Sequence, residues 1–370
     1  MKIIVAPDKF KGSLTSFEVC NAISTGLKRA GRSIEVAEFP MADGGDGFAT
    51  VMKHYLKTDT VYCDTVDPLG RNLTVSYEWN ASERVAIIEM AVASGLVLLK
   101  QEELDPMLAS TLGTGLVIEN AIDKGANKII LGLGGSATND GGTGILSALG
   151  FQFVNENGEI LHASGEHLID IKKIIKPSFI PNIKFEIASD VQNTLYGPQG
   201  AAYVYAPQKG ASEEQVKCLD KGLRNFAAVI KKETGKDISA IPGTGAAGGI
   251  AAGLLPFFDV EMKKGIEMII DASRIKASLM GAGLLITGEG KIDKQSGEGK
   301  VVGYMAALAG EYNIPCIAIC GILELEEADI KTLGLQKAMA ISNNSITKEE
   351  TMKNAGELLA GKAFEIPGFL

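Results

Sequence analysis

The polar segment with the most potential ligand groups runs from Gly132 to Gly144. It contains six glycines, with serine, threonine, asparagine and aspartate side chains between them, and it directly follows a predicted strand. Glycines let backbone amides approach an anion closely, and the N-terminus of a helix predicted for residues 143–149 adds positive potential. The segment therefore predicts a phosphate or carboxylate site, although a tight structural turn is the simpler alternative.

Three aspartates could take part in metal binding or proton transfer. Asp43 and Asp46 lie three residues apart on a glycine turn, and Mg²⁺ binds one or two carboxylates together with water and phosphate oxygens. Asp46 equally suits the N-cap of the amphipathic stretch that follows it. Asp190 follows an apolar strand predicted for residues 185–189, where a carboxylate could accept a proton from a hydroxyl group. A turn-forming aspartate is the alternative at that position.

Two further polar segments follow predicted strands. Lys9, within Asp8–Ser13, could neutralise a phosphate, although this segment alone favours a solvated surface lysine. The segment Gly288–Ser296 combines two carboxylates and two lysines with serine and glutamine side chains. It does not form a Walker A loop, because Lys300 is followed by Val301 where that loop has serine or threonine.

A third glycine-rich segment, Gly243–Gly248, formally matches the GxGxxG pattern of dinucleotide-binding proteins. The residues before it, Asp237–Pro242, have a poor strand pattern, and no acidic residue lies in a clear second strand to bind a ribose. A closely packed helix start is therefore the preferred interpretation over a dinucleotide site.

The elements at the two ends of the chain alternate between strand and helix. A helix is predicted to begin near Thr15, where Glu18 completes a capping box, and another begins at the capping box of Thr347 and Glu350. The alternation predicts a parallel sheet with helices on both faces, and ligands bind such sheets at the carboxyl ends of the strands. The predicted strands are residues 3–6, 34–39, 284–287, 315–320 and 337–342, and the later helices are residues 301–311 and 348–359.

The middle of the chain has a different pattern. Alternating strands in residues 60–89, with turns at 67–70 and 79–82, precede a mixture of helices and strands that includes a helix at 246–255. We therefore predict an α/β protein of two domains. A discontinuous parallel-sheet domain is formed by residues 1–60 and 281–370, and residues 61–280 form an inserted mixed α+β domain.

Composition excludes several classes of protein. The chain has 370 residues, 44 of them glycine without a three-residue period, which excludes collagen. A net charge of −9 without a basic stripe argues against a nucleic-acid partner, so anions must be bound by local lysines, arginines, amides or a metal. No zinc-type histidine or cysteine spacing occurs, the five cysteines are scattered, and no membrane span or signal peptide is predicted. These features predict a cytoplasmic protein.

Six motifs, taken together and in order, resemble the bacterial glycerate kinase family, which phosphorylates D-glycerate with ATP. The resemblance extends from residue 1 to about residue 345 and implies a flavodoxin-like outer domain, an inserted second domain, an active site between them, and Mg·ATP as phosphoryl donor. It implies phosphorylation of the 2-hydroxyl group, with the 3-phosphate as the open alternative. The motifs are APDKFKGSLTS, FPMADGGDG, LGLGGSATNDGG, ASDVQNTLYGPQGAA, GAAGGIAAGL and TGEGKIDKQS.

The resemblance implies roles for individual residues. We expect Asp190 to act as the base and Lys9 and Asp43 to take part in catalysis, while Asp43 and Asp46 hold Mg²⁺ or orient the substrate. The expected substrate ligands are Arg71, Lys291, Asp293 and Ser296. The expected phosphate and ATP ligands are Gly134, Gly135, Ser136, Thr138, Asn139, Asp140, Gly141 and Glu289.

One position departs from the family pattern, and two rival functions stay open. The family usually has arginine where this chain has Lys291, and lysine keeps the charge but loses the bidentate fork. A nucleotide-dependent dehydrogenase would use the Gly243 segment, and a non-enzymatic sugar-acid sensor would bind its ligand without ATP turnover. The sequence does not predict the oligomeric state, or which loop binds ATP and which binds glycerate.

Overall fold

The structure, a computed structural model, describes residues 1–31, 34–45, 47–297, 300–343 and 346–368. The strands are β1 (Lys2–Val5), β2 (Glu35–Glu38), β3 (Asp59–Val66), β4 (Asn72–Asn80), β5 (Val85–Glu89), β6 (Lys128–Gly132), β7 (Gln152–Val154), β8 (Lys173–Ile175), β9 (Lys184–Ala188), β10 (Asp259–Lys263), β11 (Leu284–Ile292), β12 (Cys316–Leu323) and β13 (Lys337–Ala340). The helices are α1 (Ser16–Arg29), α2 (Phe48–Leu56), α3 (Ala91–Ser94), α4 (Leu112–Asp123), α5 (Thr143–Ala148), α6 (Ala201–Tyr205), α7 (Glu213–Thr234), α8 (Ile250–Leu254), α9 (Gly265–Ser273), α10 (Ile275–Leu279), α11 (Val301–Glu311), α12 (Glu327–Thr332), α13 (Lys348–Lys353) and α14 (Ala355–Glu365).

The chain divides into two compact units. The first comprises Met1–Asp43, Thr50–Tyr55 and Lys264–Leu370, and the second comprises Gly44–Ala49 and Leu56–Lys263. Each unit has its own hydrophobic core. The sequence-based division into a domain of residues 1–60 and 281–370 and an inserted domain of residues 61–280 stays a prediction.

The first unit is built on a parallel sheet, as predicted. Its five strands lie in the order β13-β12-β11-β1-β2, and every neighbouring pair is parallel. Numbered along this unit alone, that order is 5-4-3-1-2, which is the flavodoxin-like arrangement. Helix α1 packs against α14 so closely that a Cβ added to Gly26 would lie 2.1 Å from the carbonyl oxygen of Ala360.

Local helix signals in the sequence are confirmed. Thr15 caps α1 and Thr347 caps α13, and in both cases the glutamate three residues later completes the capping box. Each box satisfies backbone N–H groups that would otherwise lack a partner at the helix start.

Strand β11 is longer than predicted. We expected it to end at Thr287, but it continues to Ile292 and pairs with β12 along its length. A Cβ at Gly288 would lie 2.1 Å from the carbonyl oxygen of Ile319, and one at Gly321 would lie 2.4 Å from that of Gly290. The glycines therefore permit close strand pairing here, where we had interpreted them as the end of a strand.

The second unit contains a mixed sheet in the order β10-β9-β6-β5-β4-β3 and a separate antiparallel pair, β7 and β8. The first four strands are parallel, and β4 runs antiparallel to both of its neighbours. The helix predicted for residues 246–255 is interrupted. Positive φ angles at Gly248 and Gly249 separate a 3-10 turn, Ala246–Gly248, from α8.

All five cysteines are free thiols, and burial raises the pKa of Cys316 to about 12. Across the described parts of the chain, no helix combines the length and apolar character needed to cross a bilayer.

Candidate active site

The glycine-rich loop, residues 133–142, connects β6 to α5 in the second unit. Within it, Asp140 is fully buried. Asp140 Oδ2 accepts hydrogen bonds from the N–H and the hydroxyl of Thr111, each at 2.8 Å, and the carboxylate also accepts from the N–H groups of Gly142 and Gly144. Burial raises the pKa of Asp140, while these donors oppose the rise because they stabilise the ionised form. The carboxylate thus ties the loop to the start of α4.

A buried lysine, Lys209, also contacts the glycine-rich loop. It ends the 3-10 turn Pro207–Lys209 and is 1% exposed. Its Nζ donates to Ser136 Oγ at 2.8 Å and to the carbonyl oxygen of Thr138 at 2.6 Å. Burial lowers the pKa of Lys209 to about 7, and the nearby charge of Asp140 opposes that change. Sequence reasoning missed this residue, because one lysine in a polar turn carries no recognisable signal.

The second glycine segment packs against the glycine-rich loop. A Cβ at Gly248 would lie 2.2 Å from the carbonyl oxygen of Thr138, and one at Gly253 would lie 2.2 Å from that of Gly141. The Gly141 N–H donates to the carbonyl oxygen of Gly248 at 2.9 Å. No strand precedes Gly243 in residues 235–242, which are all described. These contacts support the packing interpretation of this segment.

Several polar groups in the glycine-rich loop lack a partner within the described part of the chain. Asn139 is completely buried, yet neither its amide oxygen nor its amide nitrogen has a hydrogen-bond partner, and the same holds for the hydroxyl of Thr138. The backbone N–H groups of Thr138 and Asn139 likewise find no acceptor among the described residues. Buried polar groups are nearly always hydrogen-bonded, so these groups indicate a place for water or a ligand.

An acidic cluster, defined here as Asp8, Asp43 and Glu289, lies in the first unit. Asp8 follows β1, Asp43 follows β2, and Glu289 lies in β11, the strand next to β1. Burial and then the charge of Asp43 raise the pKa of Asp8 to about 7, with a smaller contribution from Glu289, whereas Lys9 opposes the rise. Sequence reasoning selected Lys9 from this segment and missed Asp8, although Asp8 is the first charged residue after the strand.

Glu289 is held by the segment that follows β11. Burial raises the pKa of Glu289, and the hydroxyl of the fully buried Ser296 donates to it. Ser296 Oγ also accepts the N–H of Asp293 at 3.1 Å. Lys300 Nζ lies 3.8 Å from Asp293 Oδ1, and its charge favours ionised Glu289. Lys300 is therefore a second cation of this region that sequence reasoning did not select.

Two predicted substrate ligands are half-exposed and form ion pairs. Lys291 Nζ lies 2.8 Å from Glu324 Oε2 and 3.5 Å from Asp293 Oδ2. Arg71, whose side chain is 49% exposed, pairs with Asp67 and with Glu103 Oε1, the latter at 2.7 Å. Each cation therefore already has carboxylate partners that an anionic substrate would have to share.

The turn before Arg71 borders a cavity of about 250 Å³. Its polar lining comprises Asp67, Ser110, His162, Ser164 and Glu166. Ser110 precedes Thr111, the residue that binds Asp140, so the cavity adjoins the start of α4. Sequence reasoning assigned no site to His162.

Of the aspartates Asp190 and Asp46, the structure describes only Asp190. Asp190 lies two residues beyond the end of β9 and is partly buried. Asp46 lies outside the described residues. Among the described residues, no three histidine, cysteine, aspartate or glutamate side chains are grouped to hold a metal ion. Magnesium in proteins is usually held by one or two carboxylates together with water and phosphate oxygens.

The comparisons with known proteins agree on one family. Residues 3–368 match the glycerate kinase family. The chain is 38% identical to a glycerate kinase of Halalkalibacterium halodurans over 98% of this chain and 97% of the relative. It is 37% identical to a glycerate 2-kinase of Escherichia coli K12, covering 96% of this chain and 94% of the relative. A crystal structure described as that of a "putative glycerate kinase 2" from Salmonella typhimurium LT2 superposes with a TM-score of 0.88 at 36% identity, covering 100% and 98% of the two chains.

Proposed function

The chain belongs to the glycerate kinase family and is a phosphotransferase with an alcohol group as acceptor, and from this premise we propose its specific reaction. The enzyme transfers the γ-phosphoryl group of Mg·ATP to the 2-hydroxyl group of D-glycerate, giving 2-phospho-D-glycerate and ADP. A relative named glycerate 2-kinase supports the choice of hydroxyl. The 3-phosphate product is the alternative.

The glycine-rich loop carries the proposal. Its buried Asn139 side chain, its Thr138 hydroxyl and the N–H groups beside them lack partners within the described chain, and a phosphate group would supply acceptors for the donors among them. We assign phosphate binding to Gly134–Gly141, with Ser136 and Asn139 as the side-chain donors. Within that loop, Asp140 keeps the backbone in shape, since its carboxylate already accepts four hydrogen bonds.

The acidic cluster fits a magnesium ion. Its donors are carboxylate oxygens, which Mg²⁺ prefers. Burial is the main cause of the raised pKa of Asp8, and a divalent cation would offset the second cause, repulsion by the charge of Asp43. Asp43 would hold the ion, with Asp46 as the second ligand. When bound, Mg²⁺ neutralises charge on the ATP phosphates.

The remaining residues position the substrates and move one proton. Asp190 accepts the proton of the attacking hydroxyl group, and Lys9 neutralises charge on the transferring phosphoryl group. Arg71 and Lys291 bind the glycerate carboxylate, and Asp293 binds a glycerate hydroxyl group. Ser296 and Glu289 act as a hydrogen-bonded pair, in which Ser296 fixes the carboxylate that faces ATP.

One experiment tests the reaction and its regiochemistry together. The protein is incubated with D-glycerate and Mg·ATP, ADP is measured, and the product is identified by ³¹P and ¹³C NMR. We expect ADP release and a phosphorus coupling to carbon 2, with no turnover when EDTA replaces Mg²⁺. A phosphorus coupling to carbon 3 would show that the 3-hydroxyl group is phosphorylated instead. The absence of ADP release would contradict the kinase proposal.

The two rival functions receive less support. A dehydrogenase would need the Gly243 segment to bind a dinucleotide, but those glycines pack against the glycine-rich loop instead. A non-catalytic sensor would leave the acidic cluster without a role. The free cysteines and the net charge of −9 also support a cytoplasmic enzyme acting on small molecules, without a nucleic-acid partner.

A further inference from the structure

The contacts of Lys209 determine which way two donors of the glycine-rich loop point. In its protonated form Lys209 can only donate hydrogen bonds, so Ser136 Oγ then accepts the 2.8 Å bond from Lys209 Nζ. The hydroxyl hydrogen of Ser136 is then available to donate to a different acceptor. A ligand of the loop can be that other acceptor. Lys209 itself is almost completely buried, so it stays away from solvent.

The second contact of Lys209 orients a backbone amide. Its Nζ donates to the carbonyl oxygen of Thr138, which shares a peptide bond with the N–H of Asn139. That bond is trans, so its carbonyl oxygen and its N–H point in opposite directions. Holding the Thr138 oxygen toward Lys209 directs the Asn139 N–H away from it, and this N–H has no acceptor among the described residues.

We propose that Lys209 is the positioning residue of the phosphate site: it directs the Ser136 hydroxyl and the Asn139 N–H toward a phosphate group of ATP. This inference rests on the proposed kinase function. Lys209 does not touch the nucleotide, and its effect passes through Ser136 and Thr138. In its protonated form, Lys209 also adds a positive charge next to the loop, which favours a bound anion.

Isothermal titration with ATP tests this role in the full-length protein. Lys209→Met keeps a long apolar side chain but removes the charge and the donors, and we expect it to raise the Kd for ATP at least tenfold. The KM for D-glycerate should change less than threefold. Lys221→Met removes an exposed lysine from α7, outside the loop contacts, and should bind ATP like the parent.

A double-mutant cycle separates positioning from general loss of structure. Ser136→Ala alone should raise the Kd for ATP at least threefold, but less than twofold when added to Lys209→Met, because both variants remove the same directed hydroxyl. Lys209→Arg, which keeps the charge and the donors, should recover part of the affinity. Full additivity of the two effects would overturn the inference.

Other outcomes are equally decisive. A folded Lys209→Met protein with parental ATP affinity, or with a loss confined to D-glycerate, would overturn the inference while the kinase function stands. If Lys209→Met does not fold, the ATP affinity of Ser136→Ala is the test. Parental ATP affinity in Ser136→Ala would then overturn the positioning role of Lys209. If the parent protein itself binds no ATP, the kinase proposal fails first and this inference falls with it.

Discussion

Asp8 illustrates how a buried side chain can cost stability while serving a site. Its pKa is raised to about 7, so the folded protein keeps this carboxyl protonated at pH values where the unfolded chain has lost the proton. The folded state therefore binds more protons between about pH 4 and pH 7, and stability falls as the pH rises through that interval. Above about pH 7 the stability is lower by the full cost of ionising the buried Asp8 carboxyl group.

We predict that Asp8→Asn stabilises the metal-free protein at pH 8 and has little effect at pH 4. The gain should be on the order of a few kcal/mol at most, because asparagine removes the charge while its oxygen can still accept the N–H of Lys9. Thermal unfolding of both proteins at the two pH values, without Mg²⁺ or nucleotide, measures this. An equal effect at both pH values would contradict the explanation by ionisation.

Asp190 is the residue on which the proposed chemical step depends. Removing a general base usually costs 10²–10⁴-fold, so Asp190→Asn should lower kcat at least about 100-fold with the fold retained. Steady-state kinetics with D-glycerate and Mg·ATP measures the change, and circular dichroism verifies the fold. A loss of about tenfold or less would remove Asp190 from the role of base.

Residues differ in how far sequence could identify them. Asp43, Glu289 and the glycine-rich loop were recognisable because polar residues follow strand patterns locally. Lys209 was not, because its partners Ser136 and Thr138 lie 73 and 71 positions away in sequence and only the fold brings them together. The pKa of Asp8 likewise depends on burial in the fold, and then on the charges of Asp43, which follows β2, and of Glu289 in β11.

At the scale of elements, the glycine-rich loop is shaped by the turn that precedes α8. Gly248 has a φ of +75° and lies against the backbone of Thr138 and Asn139, whereas Gly235, at the end of α7, has a φ of +73° and nothing within 4 Å of an added Cβ. The two glycines thus share a left-handed conformation, but other backbone atoms lie close to a Cβ added at Gly248 and none lie close to one added at Gly235.

We predict that Gly248→Ala is much more damaging than Gly235→Ala. The control substitution should cost about 1–2 kcal/mol, the usual penalty of a left-handed conformation for a residue with a Cβ. Gly248→Ala must in addition displace the loop, so it should lower stability further and weaken ATP binding at least tenfold. Denaturant unfolding and ATP titration of both variants measure this. Equal losses of stability with unchanged ATP affinity would contradict the packing argument.

Elements defined by local signals were predicted well, and so was the parallel sheet, whereas the extent of β11 and the break before α8 were not. The capping boxes that begin α1 and α13 are contained in four residues each, so they were visible in the sequence. The extension of β11 to Ile292 depends on its register with β12, and its glycines resemble a strand end until the partner is known. The break before α8 likewise follows from contacts with the glycine-rich loop.

At the scale of the molecule, the two cores are formed by separate stretches of chain. Among the described residues, the buried side chains of the larger core lie from Cys63 to Phe258, and those of the smaller core lie from Ile3 to Leu27 and from Leu284 to Ile366. The sequence predicts an inserted domain because strand–helix alternation stops near residue 60 and resumes near residue 281, and its bounds stay a prediction.

We predict that residues 56–263 alone fold into a cooperative unit, because that segment contains its own complete core. Near-ultraviolet circular dichroism and thermal unfolding of this fragment should show fixed tertiary structure and one sharp transition. A fragment with helical signal but no sharp transition would show that the second unit needs the rest of the chain.

The central strand pair of the first unit has a consequence for synthesis of the protein. Ile3 in β1 pairs with Val36 in β2 on one side and with Leu284 in β11 on the other, so one edge of the first strand made must wait for a partner about 280 residues later. At about 5–20 residues per second, the ribosome needs roughly 15–55 s to produce it. During that time the second unit can fold, while β1 still exposes the edge that later pairs with β11. Nascent chains stalled before residue 284 should therefore be the ones that need chaperone protection.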